Sequence, residues 1–396
     1  MLTALKDQLP FTTIHHTKEE LLKIRKSSPQ FLCPYCSSPL VLRVGNIKIP
    51  HFAHISKLPC LYESKKETAN HVLAKILLYE RLSQLFEEVK LEYYVKELHQ
   101  IPDLLISVKE ELVAIEIQCS TIPLSELKDR TEGYRRENIH PLWILTQPVS
   151  ASSILLKLTS FQQGFIRFSQ DLHYFLLHFD PEKKSFTIFP HLTPITKNTF
   201  FFTKPFTIPI QRFTLPISIL PAEDTTYRLL GSWFQYRTKW MQNKINFTSS
   251  RPDRFLADVY EEGDTFLYLP LYIGLPVIPH MNLCKTHPVE WQYYLWKDVF
   301  KKHPYFTSEM IHRAFIRRHS KGNIELRAFP LSSGPGTIKL IDDYLKILEK
   351  IEVIQNGEGK RYRLSYAWNC PKSFNEFQQH ERDFFPKWKH ILKKDY

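Results

Sequence analysis

The chain has 396 residues, 43% hydrophobic and 24% charged, with 53 Lys and Arg against 41 Asp and Glu and a net charge of +12. That length suggests two or three domains with ample core, and the composition excludes a disordered, collagen-like or membrane-embedded chain. The positive surplus favours a polyanionic partner, nucleic acid before a membrane surface.

No apolar run reaches the roughly 18 residues of a membrane span. The nearest, 266–278, is interrupted by Pro270 and Pro276. Lys6, Asp7 and Gln8 leave no apolar core for a secretion signal in the first ten residues, so a cytoplasmic location is expected. Of the six cysteines, Cys33, Cys36 and Cys60 fall in one short stretch, which favours metal binding in a reducing compartment over disulfides.

After a strand-like start, 18–26 reads as a short helix capped by Thr17. Cys33-Pro-Tyr-Cys36 then forms a tight knuckle that can aim two thiolates at one ion. A hairpin of 40–44 and 47–49, turning at Gly45-Asn46, delivers His51-Phe-Ala-His54 towards the knuckle, and Cys60 follows six residues later. Residues three apart on an extended backbone face opposite ways, so the expected zinc ligands are Cys33, Cys36, His54 and Cys60, with His51 the spare. Four protein ligands make a closed, structural zinc site. The plain alternative is core cysteines beside surface histidines.

Residues 63–87 read as an amphipathic helix with a stripe of Val72, Leu73, Ile76, Leu77, Leu82 and Leu85. Glu67, His71 and Lys75 stand at i, i+4 and i+8 and share a face, as a functional row or a solvated salt-bridged one. A strand at 91–95 follows, and then IPDLLISVKEELVAIEIQCS, two apolar strands around a charged turn at Lys109-Glu110-Glu111. Twelve residues separate Asp103 from Glu116, so a hairpin brings both carboxylates to one end of a sheet. Two acids there can seat a hard divalent cation such as magnesium or manganese, which can activate water and clamp a phosphodiester; a hairpin with two solvated acids is the bland alternative. Pro-Asp followed by Glu-x-Lys after a turn is the signature of the PD-(D/E)xK nuclease fold, with Gln118 here in the lysine position. A helix at 123–138, bearing Arg130 and Tyr134, and a buried strand at 141–146 complete the order helix, three strands, helix, strand. This is the α/β core order of that restriction-endonuclease-like fold, a mixed sheet flanked by helices.

The run from Phe31 to Thr146 resembles the competence protein CoiA family, through Cys33-Pro-Tyr-Cys36, His51-Phe-Ala-His54, Glu67 to His71, Pro102-Asp103, Glu116-Ile-Gln118-Cys-Ser120, Arg130, Tyr134 and Trp143-Ile-Leu. The resemblance implies a cytosolic DNA-handling protein of naturally transformable Gram-positive bacteria with a nuclease-like domain, in which Glu-x-Gln replaces Glu-x-Lys. Ile101 stands where an arginine is expected, which removes one phosphate contact.

Residues 149–222 change character, with Phe, Ile, Thr and Pro in short broken strands or a β-rich linker. In 224–246, read as a helix, Trp233, Tyr236 and Trp240 stand beside Arg228, Arg237, Lys239 and Lys244. That pattern fits a single-strand grip or, more simply, an aromatic core face with a basic surface. The last third reads as three helices, a strand, a turn at 356–359 and a returning strand loaded with Lys360, Arg361 and Arg363. That is the order of a winged helix-turn-helix or of an ordinary α+β domain with a basic rim. Residues 285–396 hold 21 Lys and Arg against 13 Asp and Glu, an excess of 8.

The organisation expected is a zinc module at 1–62, a nuclease-like domain at 63–148, a β- and Pro-rich segment at 149–222 and a basic helical domain at 223–396. The expected activity is metal-assisted hydrolysis of DNA phosphodiesters in natural transformation. Asp103 and Glu116 would hold magnesium or manganese, Glu67 would orient the metal shell or a water, and Lys75 or His71 would supply the charge that Gln118 lacks. Arg130, Lys360, Arg361 and Arg363 would contact DNA, expected to be single-stranded. The competing reading is a non-cleaving DNA-binding accessory that loads or positions a recombinase, with recombinase or other competence proteins as partners.

Overall fold

The computed structural model describes residues 1–46, 48–55, 60, 67–217, 227–246, 253–275, 278–332, 336–357, 361–365 and 370–392. By density of contact the chain divides into two compact units, Met1–Pro148 with Leu177–Ile188 and Phe206–Leu220 forming the first and the remainder the second. The stretch 149–222 is thus shared between the units rather than standing as a separate segment.

The first unit begins with a five-stranded sheet. Its strands are β1 (Thr3–Lys6), β2 (Leu9–Thr12), β3 (Phe31–Leu32), β4 (Pro39–Arg43) and β5 (His51–His54), in the order β2-β1-β3-β4-β5. Helix α1 (Lys18–Lys26) starts where Thr17 accepts from the Glu20 amide and Glu20 accepts from the Thr17 amide. That reciprocal pair satisfies two otherwise orphan donors. Leu40 and Leu42 of β4 turn inward with Phe52, Phe31, Leu21 and Ala4. The return strand is β5, with Leu42 opposite Phe52 and Arg43 opposite His51; Lys48 and Ile49 precede it. Burial of Leu42 and Phe52 on one face sets this register. Ile47 lies outside the described residues.

Next come α2 (Ala69–Ser83), β6 (Val89–Leu91), β7 (Leu104–Val108), β8 (Glu111–Gln118), α3 (Leu124–Arg136) and β9 (Ile139–Leu145). Helix α2 starts at Ala69, where the Thr68 side chain accepts from the His71 amide and caps it; residues 63–66 of the expected helix lie outside the described residues. Strands β6, β7 and β8 pair antiparallel and β9 lies parallel to β8. A parallel pair needs a crossover, which α3 supplies. Trp143 Nε1 donates to Thr131 Oγ1 at 2.9 Å, and that hydroxyl donates to the Leu127 carbonyl at 2.7 Å, pinning α3 on the sheet. A Cβ at Gly133 would meet Gln100 Nε2 at 2.4 Å, so any larger residue there would have to displace the end of the Gln100 side chain. Beyond β9 the sheet continues through the strands His173–Asp180, Ser185–Phe189 and Phe206–Pro209. The result is a mixed sheet flanked by helices.

In the second unit the helix Tyr227–Asn246 buries Trp233, Arg237 and Met241 on its core face, while Lys239 is exposed. The Arg237 guanidinium donates to the carbonyls of Ile273 (3.1 Å) and Leu269 (2.9 Å). The helices Pro288–Leu295, Ser308–Ser320 and Thr337–Lys350 surround a core containing Trp291, Trp296 and Tyr344. The strand Phe306–Thr307, between the first two of these helices, pairs with Arg361–Leu364, which pairs with Ile354–Asn356. Arg361 and Arg363 are exposed on one face of their strand; Lys360 lies outside the described residues. Among the described residues no helix is long and apolar enough to cross a membrane.

Candidate metal centres and the acidic cavity

Cys33, Cys36, His54 and Cys60 each offer a ligand atom within 4.8 Å of the others. The knuckle closes through the Ser37 amide, which donates to the Cys33 carbonyl at 2.9 Å, while the Cys33 amide donates to Ser38. Strand β5 brings His54 Nε2 to 3.4 Å from Cys36 Sγ. His51, at the other end of β5, turns its Nδ1 to the Ile49 carbonyl at 2.8 Å and stands outside the cluster. Burial pushes the Cys33 thiol up to about 12. Burial opposes ionisation of Cys36 as well, but hydrogen bonds from Ser38, His54 and Cys60 outweigh it and bring that thiol down to about 6. Three sulfurs and one imidazole fit a tetrahedral zinc ion, which would hold the thiols as thiolates.

A second group lies in a cavity of about 510 Å³ in the same unit, at the end of the mixed sheet. Glu67, His71 and Asp103 offer ligand atoms within 4.8 Å of one another. Glu67 just precedes α2, His71 and Lys75 project from its first turns, and Asp103 leads into β7. His71 Nε2 donates to both Asp103 oxygens at 3.0 and 3.1 Å, and the Ile117 amide donates to Asp103 Oδ2 at 2.8 Å. Burial alone would raise the Asp103 carboxyl, but the charge and hydrogen bond of His71, with Lys75 and the Ile117 amide, hold it down at about 2. Burial works against a charged His71 too, and Asp103 reverses the balance, raising its pKa.

Lys75 is 1% exposed. Its ammonium donates to Glu67 and to Glu92, the latter at 2.5 Å, and lies 3.8 Å from Asp103. Burial disfavours the charge, and the three carboxylates more than compensate, so its pKa is raised. Glu116 lines the same cavity but is absent from the Glu67–His71–Asp103 group. Its Oε1 accepts from Arg130 and from Tyr134 at 2.5 Å, and burial pushes the carboxyl up to about 7. Arg130, expected as a phosphate contact, is thus engaged by Glu116 and the Ile101 carbonyl and stacks over Trp143. Gln118 turns its amide to the Ser120 carbonyl.

Two residues that the sequence did not mark also belong to this site. Glu92 follows β6 at φ +50°, its amide donating to the Asp103 carbonyl at 3.0 Å. Tyr35, between the knuckle cysteines, donates its hydroxyl to the Glu92 carbonyl at 2.6 Å and lines the cavity. In the run LEYYV, Glu92 has the signal of a solvated strand-end acid, and no spacing rule links Tyr35 to it.

Family models match three successive stretches: competence protein CoiA, N-terminal domain, over 13–63; the nuclease-like domain over 67–219; and the C-terminal domain over 230–377. The Cys/His cluster falls in the first and the acidic cavity largely in the second. A curated relative, competence protein CoiA of Bacillus subtilis (strain 168), is 29% identical over 363 residues, spanning 90% of this chain and 95% of that protein. No solved structure matches. With all three of its domain models in sequence order along one chain, the protein belongs to the competence protein CoiA family.

Proposed function

We propose that this protein hydrolyses DNA phosphodiesters with a divalent cation and so processes incoming single-stranded DNA for recombination during competence, in the cytoplasm. The observation that carries this reading is the convergence of Glu67, His71 and Asp103 on one cavity, with Glu116 beside them, at the end of a mixed sheet. The order α2, β6, β7, β8, α3, β9 supports a PD-(D/E)xK core. Two carboxylates and an imidazole suit manganese better than magnesium, which prefers an all-oxygen shell. A cation bound there supplies Lewis acidity and a water of lowered pKa. The chain's own groups do the rest: Asp103 is held ionised and oriented by His71 and the Ile117 amide, Lys75 keeps a fixed positive charge beside the acids, and Arg130 and Tyr134 fix Glu116. The test is a cleavage assay on single- and double-stranded DNA with manganese or magnesium, comparing wild type with Glu116→Gln. Metal-dependent cutting by the wild type, lost in the variant, is expected; no cutting of any DNA with either metal overturns the reading.

The second reading is a DNA-binding accessory that cuts nothing and positions a recombinase. It is favoured by Gln118, which carries no charge and is turned to a backbone carbonyl.

The C-terminal strand order supports a winged-helix domain, since a strand between the first two helices pairs with the returning strand of the hairpin. Arg361 and Arg363 would then lie along the wing and meet phosphates. Replacing both with alanine should weaken binding to all sequences alike and flatten the slope of log affinity against log salt by roughly two units. Filter binding across a salt series measures this, and an unchanged slope would mean that these arginines touch no phosphate.

A further inference from the structure

The place for a cation in the acidic cavity is contested within the chain itself. The Lys75 ammonium donates to Glu67 and stands 3.8 Å from Asp103, so it leans on two of the three groups that would hold a divalent ion. A buried ammonium does not give up its carboxylates unless another is at hand. Glu92 is that other carboxylate. One of its oxygens accepts from Lys75 at 2.5 Å, and the other accepts from the amides of Leu2 at 2.8 Å and Thr3 at 3.1 Å. Its backbone is held as firmly, with the Asp103 carbonyl accepting its N–H and the Tyr35 hydroxyl donating to its carbonyl. A non-glycine residue at φ +50° stays there only when its surroundings over-determine it. Strand β1 and the Cys-rich knuckle both reach over to do so.

We propose that Glu92 is a positioning residue of the acidic centre, a fixed acceptor that keeps Lys75 paired while Glu67 and Asp103 turn to a divalent cation, and that Tyr35 and β1 hold this acceptor in place. The proposal rests on the reading of the cavity as a metal centre and deepens it. On this account the N-terminal module is a working wall of the cavity. Without Glu92, Lys75 has only Glu67 and Asp103 to lean on and competes with the metal for both.

The test measures manganese binding to the full chain, with zinc supplied beforehand to the thiolate cluster, in wild type, Glu92→Gln, Lys75→Met and the double variant. Glutamine keeps an oxygen for the Leu2 and Thr3 amides, so β1 stays docked. Glu92→Gln should weaken manganese binding roughly tenfold, the scale for losing a partner just outside a metal shell. Lys75→Met should bind at least as tightly as wild type, and adding it to Glu92→Gln should restore affinity, because the competitor is gone. Wild-type affinity in Glu92→Gln overturns the proposal. So does a double variant as weak as Glu92→Gln, since that marks a purely structural role. If Glu92→Gln does not fold, Tyr35→Phe with and without Lys75→Met carries the same comparison. Cleavage is assayed in parallel. A wild type that binds manganese but cuts no DNA overturns the nuclease reading and leaves Glu92 to the affinity data. A wild type that binds no manganese overturns both.

Discussion

Alanine at position 103 is expected to reduce metal-dependent DNA cleavage by roughly a thousandfold, since a catalytic metal contributes several kcal/mol of transition-state stabilisation, about 4 kcal/mol at that ratio. Asp103 is the residue on which the cavity converges, with His71, the Ile117 amide and Lys75 all directed at its carboxylate. Asp103→Asn keeps the shape and should lose activity similarly while holding the fold. The same substitution has a signature in stability. The folded carboxyl titrates at about 2 against 3.8 for a free aspartate. A depressed carboxyl contributes stability that is present above the unfolded pKa and lost as pH falls through the folded one. Denaturant melts between about pH 4 and 2 should therefore decline less steeply for Asp103→Asn than for wild type. Cleavage at wild-type rates by either variant would remove Asp103 from the chemistry.

Cys33→Ser should release the zinc and unfold the N-terminal module, because metal binding in structural thiolate sites is itself folding free energy, about 10 kcal/mol or more in small zinc domains. Cys33 is wholly buried in the core that contains Leu21, Phe31, Leu42 and Phe52. Metal analysis should find about one zinc per wild-type chain and almost none in the variant. Cobalt-substituted wild type should show the visible absorption of a tetrahedral thiolate site. Protein purified without chelators that contains no zinc would end this assignment. The damage should not stop at the module, since Tyr35 and β1 also hold Glu92.

Much of this arrangement is legible in the chain because local rules settle it. Thr17 and Glu20 are spaced as a capping box and form one. The hairpin carrying Asp103 and Glu116 follows from two apolar runs about a charged turn, and the thiolate cluster from a knuckle, a hairpin and the faces of His51 and His54. What was not legible depends on tertiary context. Lys75 sits in a helical row of charges that reads equally as solvated, yet its side chain is closed over by carboxylates from three other places in the chain. Gly45-Asn46 reads as a two-residue turn, yet the register sets Arg43 opposite His51, because Leu42 and Phe52 are buried together. The proline-broken strands of 149–222 gave no sign of their partners, because such pairings join residues distant in sequence. In 224–246 Trp233 and Arg237 pack in the core, which periodicity alone does not reveal, since it cannot tell an aromatic row that binds from one that packs.

The hairpin of β7 and β8 works as a ruler. Val108 lies opposite Glu111, and Leu104 opposite Ile115, so continuing the ladder by one step sets Asp103 against Glu116. The count starts at a two-residue turn, Lys109-Glu110, both at positive φ (50° and 70°) without a glycine. Such turns match the twist of the strands and fix the register. One residue more or less at this turn would be a frame error in the sheet, bringing an isoleucine to face Asp103 and turning Glu116 to the opposite side. The turn lies five residues along β7 from Leu104, roughly 17 Å at strand rise. The spelling of the acidic centre is thus set at a distance, by two residues that touch none of it.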